Sequence, residues 1–154
     1  MAANEKDDWQ FMRAALQQAL FAAERGEVPV GAVIAVGNEL VCAAGNRTIA
    51  DCDPTAHAEI IALREAAAKI QNYRLVDATL YVTIEPCIMC AGAMIQARIA
   101  RLVYGADDLK GGAIHSTFSI ADHPQLNHRI PDVTSGVLAA EAAAVLKSFF
   151  AARR

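Results

Sequence analysis

Nowhere does this chain carry an uninterrupted apolar run long enough to cross a bilayer, which takes about 20 residues, so a membrane-spanning helix is not expected. The first residues, Met-Ala-Ala-Asn-Glu-Lys-Asp-Asp, lack the basic start and apolar core of a secretory leader, which argues against export and for a cytoplasmic protein. Internal repeats and low-complexity tracts are also missing, so the composition is that of an ordinary globular chain. Cysteine is scarce: four residues allow two disulfides at most, and in a reducing compartment a Cys-x-x-Cys pair is better suited to a metal or to catalysis. There is no basic excess either. A net charge of −3 does not exclude nucleic acid, because binding follows where positive charge clusters and not its sum.

What is present is 154 residues, 55% hydrophobic and 20% charged, enough for one domain over residues 1–154 that buries roughly two thirds of its unfolded surface. Disorder is expected only in the few N-terminal residues. From Asp7 to Gly26, Met12, Leu16, Ala19, Leu20 and Ala23 space one buried helical face, and Gly26 stops it. Two β-rich runs, Val28 to Val36 and Leu40 to Ala44, flank Gly37-Asn38-Glu39 and read as a hairpin. Gly45-Asn46-Arg47 then leads through a loop to Thr55, a suitable cap for a helix from Ala56 to about Lys69. The run Thr79 to Ile84 suits a central strand covered on both faces. Pro86 should open a helix to about Ala97, and Ile99 to Tyr104 is the next strand, parallel to the last by the crossover rule. Residues 106–127 are irregular and should line a mouth. A short strand near Ile130 to Val133 must lie at an edge because Pro131 cannot donate to a ladder. Leu138, Ala142, Val145, Leu146 and Phe149 mark a last helix. The sum is a three-layer α/β/α fold with a mixed sheet of about five strands between helices.

The chemistry lies in His57-Ala58-Glu59 and Pro86-Cys87-Ile88-Met89-Cys90. One histidine and two cysteines, His57, Cys87 and Cys90, are nitrogen and sulfur ligands of the kind zinc prefers. Three protein ligands leave the fourth position to water, the pattern of a catalytic rather than a structural site. Cys87 and Cys90 stand three apart and face the same way in a first turn, where the helix dipole favours thiolate. His57 and Glu59, two apart, can reach one ion only from a first turn as well, so two helix N-termini are expected to meet there. Zinc lowers the pKa of its water from about 15.7 to about 7, and Glu59 is placed to carry the proton, a role worth about a hundred- to ten-thousand-fold in rate. Against this stand a structural zinc completed by His115, His123 or His128, and a purely structural role for the residues. Cys42 and Cys52 read as structural.

The pattern His-x-Glu followed by Pro-Cys-x-x-Cys resembles that of the zinc-dependent cytidine deaminase-like enzymes. Glu27-Val28-Pro29-Val30-Gly31-Ala32, Gly45-Asn46-Arg47, Asp53 to Glu59, Asn72 to Leu75, Ala78 to Thr83, Ala91 to Ile95 and Asn127-His128-Arg129 look, within that group, like the bacterial tRNA adenosine deaminases. The resemblance runs from about Met12 to Arg153. It implies one Zn2+ per subunit on His57, Cys87 and Cys90, proton transfer by Glu59, and conversion of adenosine to inosine at the wobble position of the tRNA anticodon arm. It further implies that Asn46 hydrogen-bonds the flipped base, offering both donor and acceptor. Asp108 would touch a ribose hydroxyl and Lys110 a phosphate, and the subunits would form a homodimer. A turn residue at Asn46 and a solvated loop at Asp108 and Lys110 are the plainer alternatives. Three departures from the family stand out. Asp107 occupies a place often basic, Gly111-Gly112 should loosen its loop, and the basic tail ends at Arg153-Arg154. Phe149-Phe150 with those arginines would brace the anticodon stem or simply pack the last helix. The rival functions are a deaminase of a free base or nucleotide such as guanine or cytosine, and a noncatalytic zinc-stabilised subunit that binds RNA or a partner.

Overall fold

The computed structural model describes residues 3–153; Met1, Ala2 and Arg154, where part of the expected N-terminal disorder and of the basic tail fall, lie outside the described residues. Helix α1, Ala3–Glu24, begins earlier than the expected Asp7, so Asn4 to Asp8 are helical. The reason is Asp8, which is buried. It takes two hydrogen bonds from the Arg101 guanidinium at 2.6 and 2.7 Å and one from the Tyr81 hydroxyl at 3.0 Å, a charge-assisted clamp that fixes the first turns. The buried face of α1 runs through Met12, Ala15, Leu16, Ala19 and Ala22. Leu20 and Ala23, expected on that face, instead edge a groove beside the last helix, and Leu20 is exposed.

Strands β1, Gly31–Val36, and β2, Glu39–Gly45, form the hairpin, with Val36 opposite Glu39 and Gly37 at φ +61° in the turn. Helix α2, Ala58–Ile70, precedes β3, Ala78–Ile84; α3, Ile88–Ala97, precedes β4, Arg101–Ala106; and β5, Asp132–Thr134, leads to α4, Ala139–Ala151. The strand order is β2-β1-β3-β4-β5, with β1 antiparallel to both β2 and β3, and β3-β4-β5 parallel. Pro131 sits just ahead of edge strand β5, where its missing N–H costs no ladder bond.

Alternation along the strands sorts the helices into two layers. Ala32, Ile34, Leu80, Val82, Leu102 and Tyr104 face one side and pack with α2 and α3 around Ala62, Ala66, Met94 and Ile95. Val33, Ala35, Tyr81 and Val103 face the other and meet Met12 and Ala15 of α1, while Ala142 of α4 packs with Ile84 and Ala106. The product is a five-stranded mixed sheet between two helical layers, the cytidine deaminase-like α/β/α architecture. The register sets the working end: β1 begins where β2, β3 and β4 finish.

Helix α1 lies so close to β1 that a Cβ on Gly31 would stand 1.8 Å from the Ala15 carbonyl oxygen and 2.7 Å from the Ala19 nitrogen. Gly92, inside α3, has nothing within 4 Å of the same position. Gly31→Ala should therefore cost about 3 kcal/mol or more of unfolding free energy through overpacking against backbone. Gly92→Ala should gain about 0.5–1 kcal/mol by restricting the unfolded chain and favouring helix. Urea unfolding of the two variants checks both signs.

Candidate active site

At that end of the sheet the N-termini of α2 and α3 converge. His57 occupies the N-cap position of α2 at φ −71°, ψ 153°, and Cys87 that of α3 at φ −74°, ψ 174°. Neither side chain caps its own helix, so ring and thiol turn toward each other. The expected caps differ. Thr55 gives its N–H and hydroxyl to Asp53, both at 2.8 Å, and α2 starts two residues later than Ala56. Pro86 precedes the cap of α3 instead of opening the helix.

His57 Nδ1 lies 3.6 Å from Cys87 Sγ and 3.5 Å from Cys90 Sγ. A tetrahedral ion with zinc–sulfur bonds of about 2.3 Å and a zinc–nitrogen bond of about 2.0–2.1 Å spaces sulfur and nitrogen about 3.6 Å apart, so the donor set fits zinc without rearrangement. Among the described residues no fourth ligand joins this group. His115 is engaged with the Tyr104 hydroxyl at 2.6 Å and Asp107 at 3.3 Å, and His123 accepts from the Gln125 N–H.

Charge is distributed as a metal site needs. A hydrogen bond from Cys90 outweighs burial and, helped by His57, pulls the Cys87 thiol down to about 4. Cys90, donating that bond in a buried place, is pushed up, so a bound cation would have to draw off the one proton it keeps. The hydrogen bond to Cys87 raises His57. Glu59, in the first turn of α2, is buried, and burial pushes its carboxyl up, the direction suited to a proton carrier near neutral pH.

Beside the cluster opens a cavity of about 260 Å3 lined by Val28, Val30, Asn46, Thr48, His57, Glu59, Ile84, Glu85, Cys87 and Asp108. A larger apolar groove of about 420 Å3, between α2 and α3, holds none of these groups. Asn46 is buried, and its Oδ1 accepts the Ala58 N–H at 2.8 Å. The amide thus caps α2 from outside, and its NH2 donors and the second lone pair of Oδ1 remain for a ligand. Asp108 reaches the cavity, its Oδ1 accepting the N–H of Lys110 and of Gly111 at 3.1 Å. Lys110 is exposed and outside the lining.

Two carboxylates not singled out in the sequence build the walls. Glu27 accepts the N–H of Ile49 at 3.0 Å and of Ala50 at 2.8 Å; these bonds, with Thr48 and Arg25, outweigh its burial and hold it below the usual carboxylate range. Glu85 accepts the N–H of Asp108, Ile114, His115 and Ser116 and the Ser116 hydroxyl, which overcome burial and hold it at about 2. The segment carrying Gly111-Gly112 is therefore anchored, contrary to the looseness its glycines suggested. A Cβ on Gly112 would stand 2.3 Å from the Glu85 carboxyl carbon. The available signal was an acid placed directly after the fully buried end of β3. Cys42 is buried and its thiol donates to the Ala62 carbonyl at 3.2 Å, whereas Cys52 is exposed; neither touches the cluster.

Fold, donor set and buried carboxylate together define a deaminase of the cytidine deaminase-like class. The family model of MafB19-like deaminases matches residues 6–154. The tRNA-specific adenosine deaminase of Haemophilus influenzae is 53% identical over 148 residues, 96% of this chain and 85% of that protein. A structure from work on A-to-I editing by tRNA:A34 deaminases at the wobble position superposes with a TM-score of 0.86 at 47% identity, covering 89% of this chain and 99% of the other. The guanine deaminase of Nitrosomonas europaea is more distant, with a TM-score of 0.76 at 27% identity over 98% of this chain and 86% of that one. The chain belongs to the tRNA-specific adenosine deaminases.

The capping of α2 by Asn46 can be separated from the base contact expected of it. Asn46→Ala removes the external cap and should cost about 1 kcal/mol of stability as well as activity. Asn46→Asp keeps an acceptor for Ala58 and should retain most of the stability while still losing activity, because its NH2 donors are gone. Thermal unfolding and initial rates on the same preparations separate the two effects.

Proposed function

We propose that this protein is a cytoplasmic zinc-dependent hydrolase that converts adenosine to inosine at the wobble position of a tRNA anticodon arm, working as a single domain and as a homodimer. The observation that carries the reading is the convergence of His57, Cys87 and Cys90 beside buried Glu59 in a chain 53% identical to a tRNA-specific adenosine deaminase. His57, Cys87 and Cys90 would hold the zinc, which when bound supplies Lewis-acid activation of a water molecule.

The remaining chemistry belongs to side chains. Asn46 donates from its NH2 to an acceptor on the flipped base, while Val28, Val30 and Ile84 give the base an apolar surface. Glu59 takes one proton from the attacking water and gives it to the ring nitrogen N1, then takes the proton of the new C6 hydroxyl and gives it to the departing amine. The C6–O bond forms first, giving a tetrahedral carbon that carries both hydroxyl and amine, and the C6–N bond breaks as that carbon collapses to the carbonyl, so one water is consumed and one ammonia leaves. Asp108 at the mouth receives a ribose hydroxyl, and exposed Lys110 a phosphate. A base must leave its stack to enter so small a cavity, which suits a single-stranded anticodon loop.

Glu59→Ala should retain zinc at the wild-type stoichiometry and lose turnover by at least about a hundred-fold; persistent turnover would contradict its role. Wild-type protein should release ammonia from an anticodon stem-loop, with affinity falling against salt by a log–log slope of about −0.7 per single-strand phosphate contacted. Turnover of free guanine alone, insensitive to salt, would favour the guanine deaminase relatives instead.

A further inference from the structure

We propose that Glu85 is a positioning residue for substrate recognition: its carboxylate clips segment 108–116 to the sheet and so fixes Asp108 at the mouth of the site. This rests on the reading of the mouth as the entrance for an anticodon loop.

Glu85 is buried, and among the described residues every group bonded to its carboxylate is an N–H or O–H of this one segment. Its Oε1 takes the Asp108 N–H at 3.2 Å and the Ser116 hydroxyl; its Oε2 takes the N–H of Ile114 at 3.1 Å and of His115 and Ser116 at 3.0 Å. A buried carboxylate is tolerable only when it is fully hydrogen-bonded, so the segment must wrap it in this conformation. The neighbours of Glu85 hold it in turn. Its own N–H donates to Ala106 at 2.8 Å, extending the β3–β4 ladder past its end, and Pro86 accepts the Ala113 N–H at 2.8 Å. The wrap leaves no room at Gly112, where a Cβ would stand 2.5 Å from either carboxylate oxygen.

Glu85 lines the same cavity as His57, Glu59 and Cys87, but its carboxylate bonds segment 108–116 and none of those residues. His57, Glu59, Cys87 and Cys90 ride on α2 and α3, whereas segment 108–116 contributes Asp108 to the rim. Freeing the segment should therefore act on KM for a substrate that engages the rim, because a displacement of about 1 Å can cost about a hundred-fold. Glutamine is no conservative substitute, since its NH2 would face donors.

The test compares wild type, Glu85→Gln, Gly112→Ala and Ser116→Ala as zinc-loaded proteins on an anticodon stem-loop, measuring KM and kcat separately together with zinc content and amide hydrogen exchange. Glu85→Gln and Gly112→Ala should raise KM by about ten- to a hundred-fold, with a smaller change in kcat and full zinc. Ser116→Ala, which removes one donor of the five and leaves the fold intact, should raise KM less. In all three, the Ile114 and Ser116 amides should exchange faster than in wild type. Adding Gly112→Ala to Glu85→Gln should cost less than the sum of the two, since both break one contact. Unchanged KM with faster exchange at Ile114 and Ser116 would overturn the proposal, as would unchanged exchange in Glu85→Gln. A loss confined to kcat or to zinc would overturn it too. A wild-type protein inert on the stem-loop would instead refute the proposed function, while the exchange data would still report whether the clip exists.

Discussion

The structure depends on two helix N-termini aimed at one point. His57 and Cys87, both in extended conformation at N-cap positions, bring an imidazole nitrogen to within 3.6 Å of sulfur, and Cys90 follows one turn later. Unsatisfied N–H groups and aligned peptide dipoles make such ends favourable for anions, so thiolates and the Glu59 carboxylate gather where a cation would be held. The sheet order makes this possible. Because β1 runs antiparallel to β3, the loop after β2 and the turn after β3 open on the same edge, and each launches a helix onto the same face.

Around that centre the protein uses buried carboxylates as loop anchors. Glu27 gathers Thr48, Ile49 and Ala50 on one side of the cavity, and Glu85 gathers residues 108–116 on the other. Backbone N–H donors fix a loop's path more firmly than surface ion pairs do, because the backbone itself is held. A rim built in this way can present Asn46 and Asp108 at set positions although both lie outside regular structure. Surface features make a contrast. Exposed Arg153 lies with its guanidinium 3.5 Å from the centre of the Phe149 ring, a contact within the last turns of the chain.

The chain's periodicities and spacings made the sheet, the parallel β3–β4 pair and the meeting of the two helix ends readable in advance. The continuous apolar runs of β1 and of β3 before Pro86 are short-range patterns, and His57, Glu59, Cys87 and Cys90 are chemically distinctive residues close to helix starts. What escaped reading depends on partners far apart in sequence. Asn46 caps α2 from 12 residues away, Asp8 is fixed by Arg101 from 93 away, and Glu85 meets Ser116 across 31. Thr55 looked like a cap because its type is right, but Asp53 nearby took its hydroxyl. Gly112 suggested flexibility because its composition is visible and the carboxylate it accommodates is not.

A site of three protein ligands with an open corner is the centre of this account. X-ray absorption on the purified protein, combined with metal analysis, reads it directly. One zinc per chain is expected, with two sulfurs near 2.3 Å, one imidazole nitrogen and one further light atom near 2.0–2.1 Å that carries no imidazole scattering. A chain without zinc, or a zinc completed by a second imidazole or a third sulfur, would contradict it.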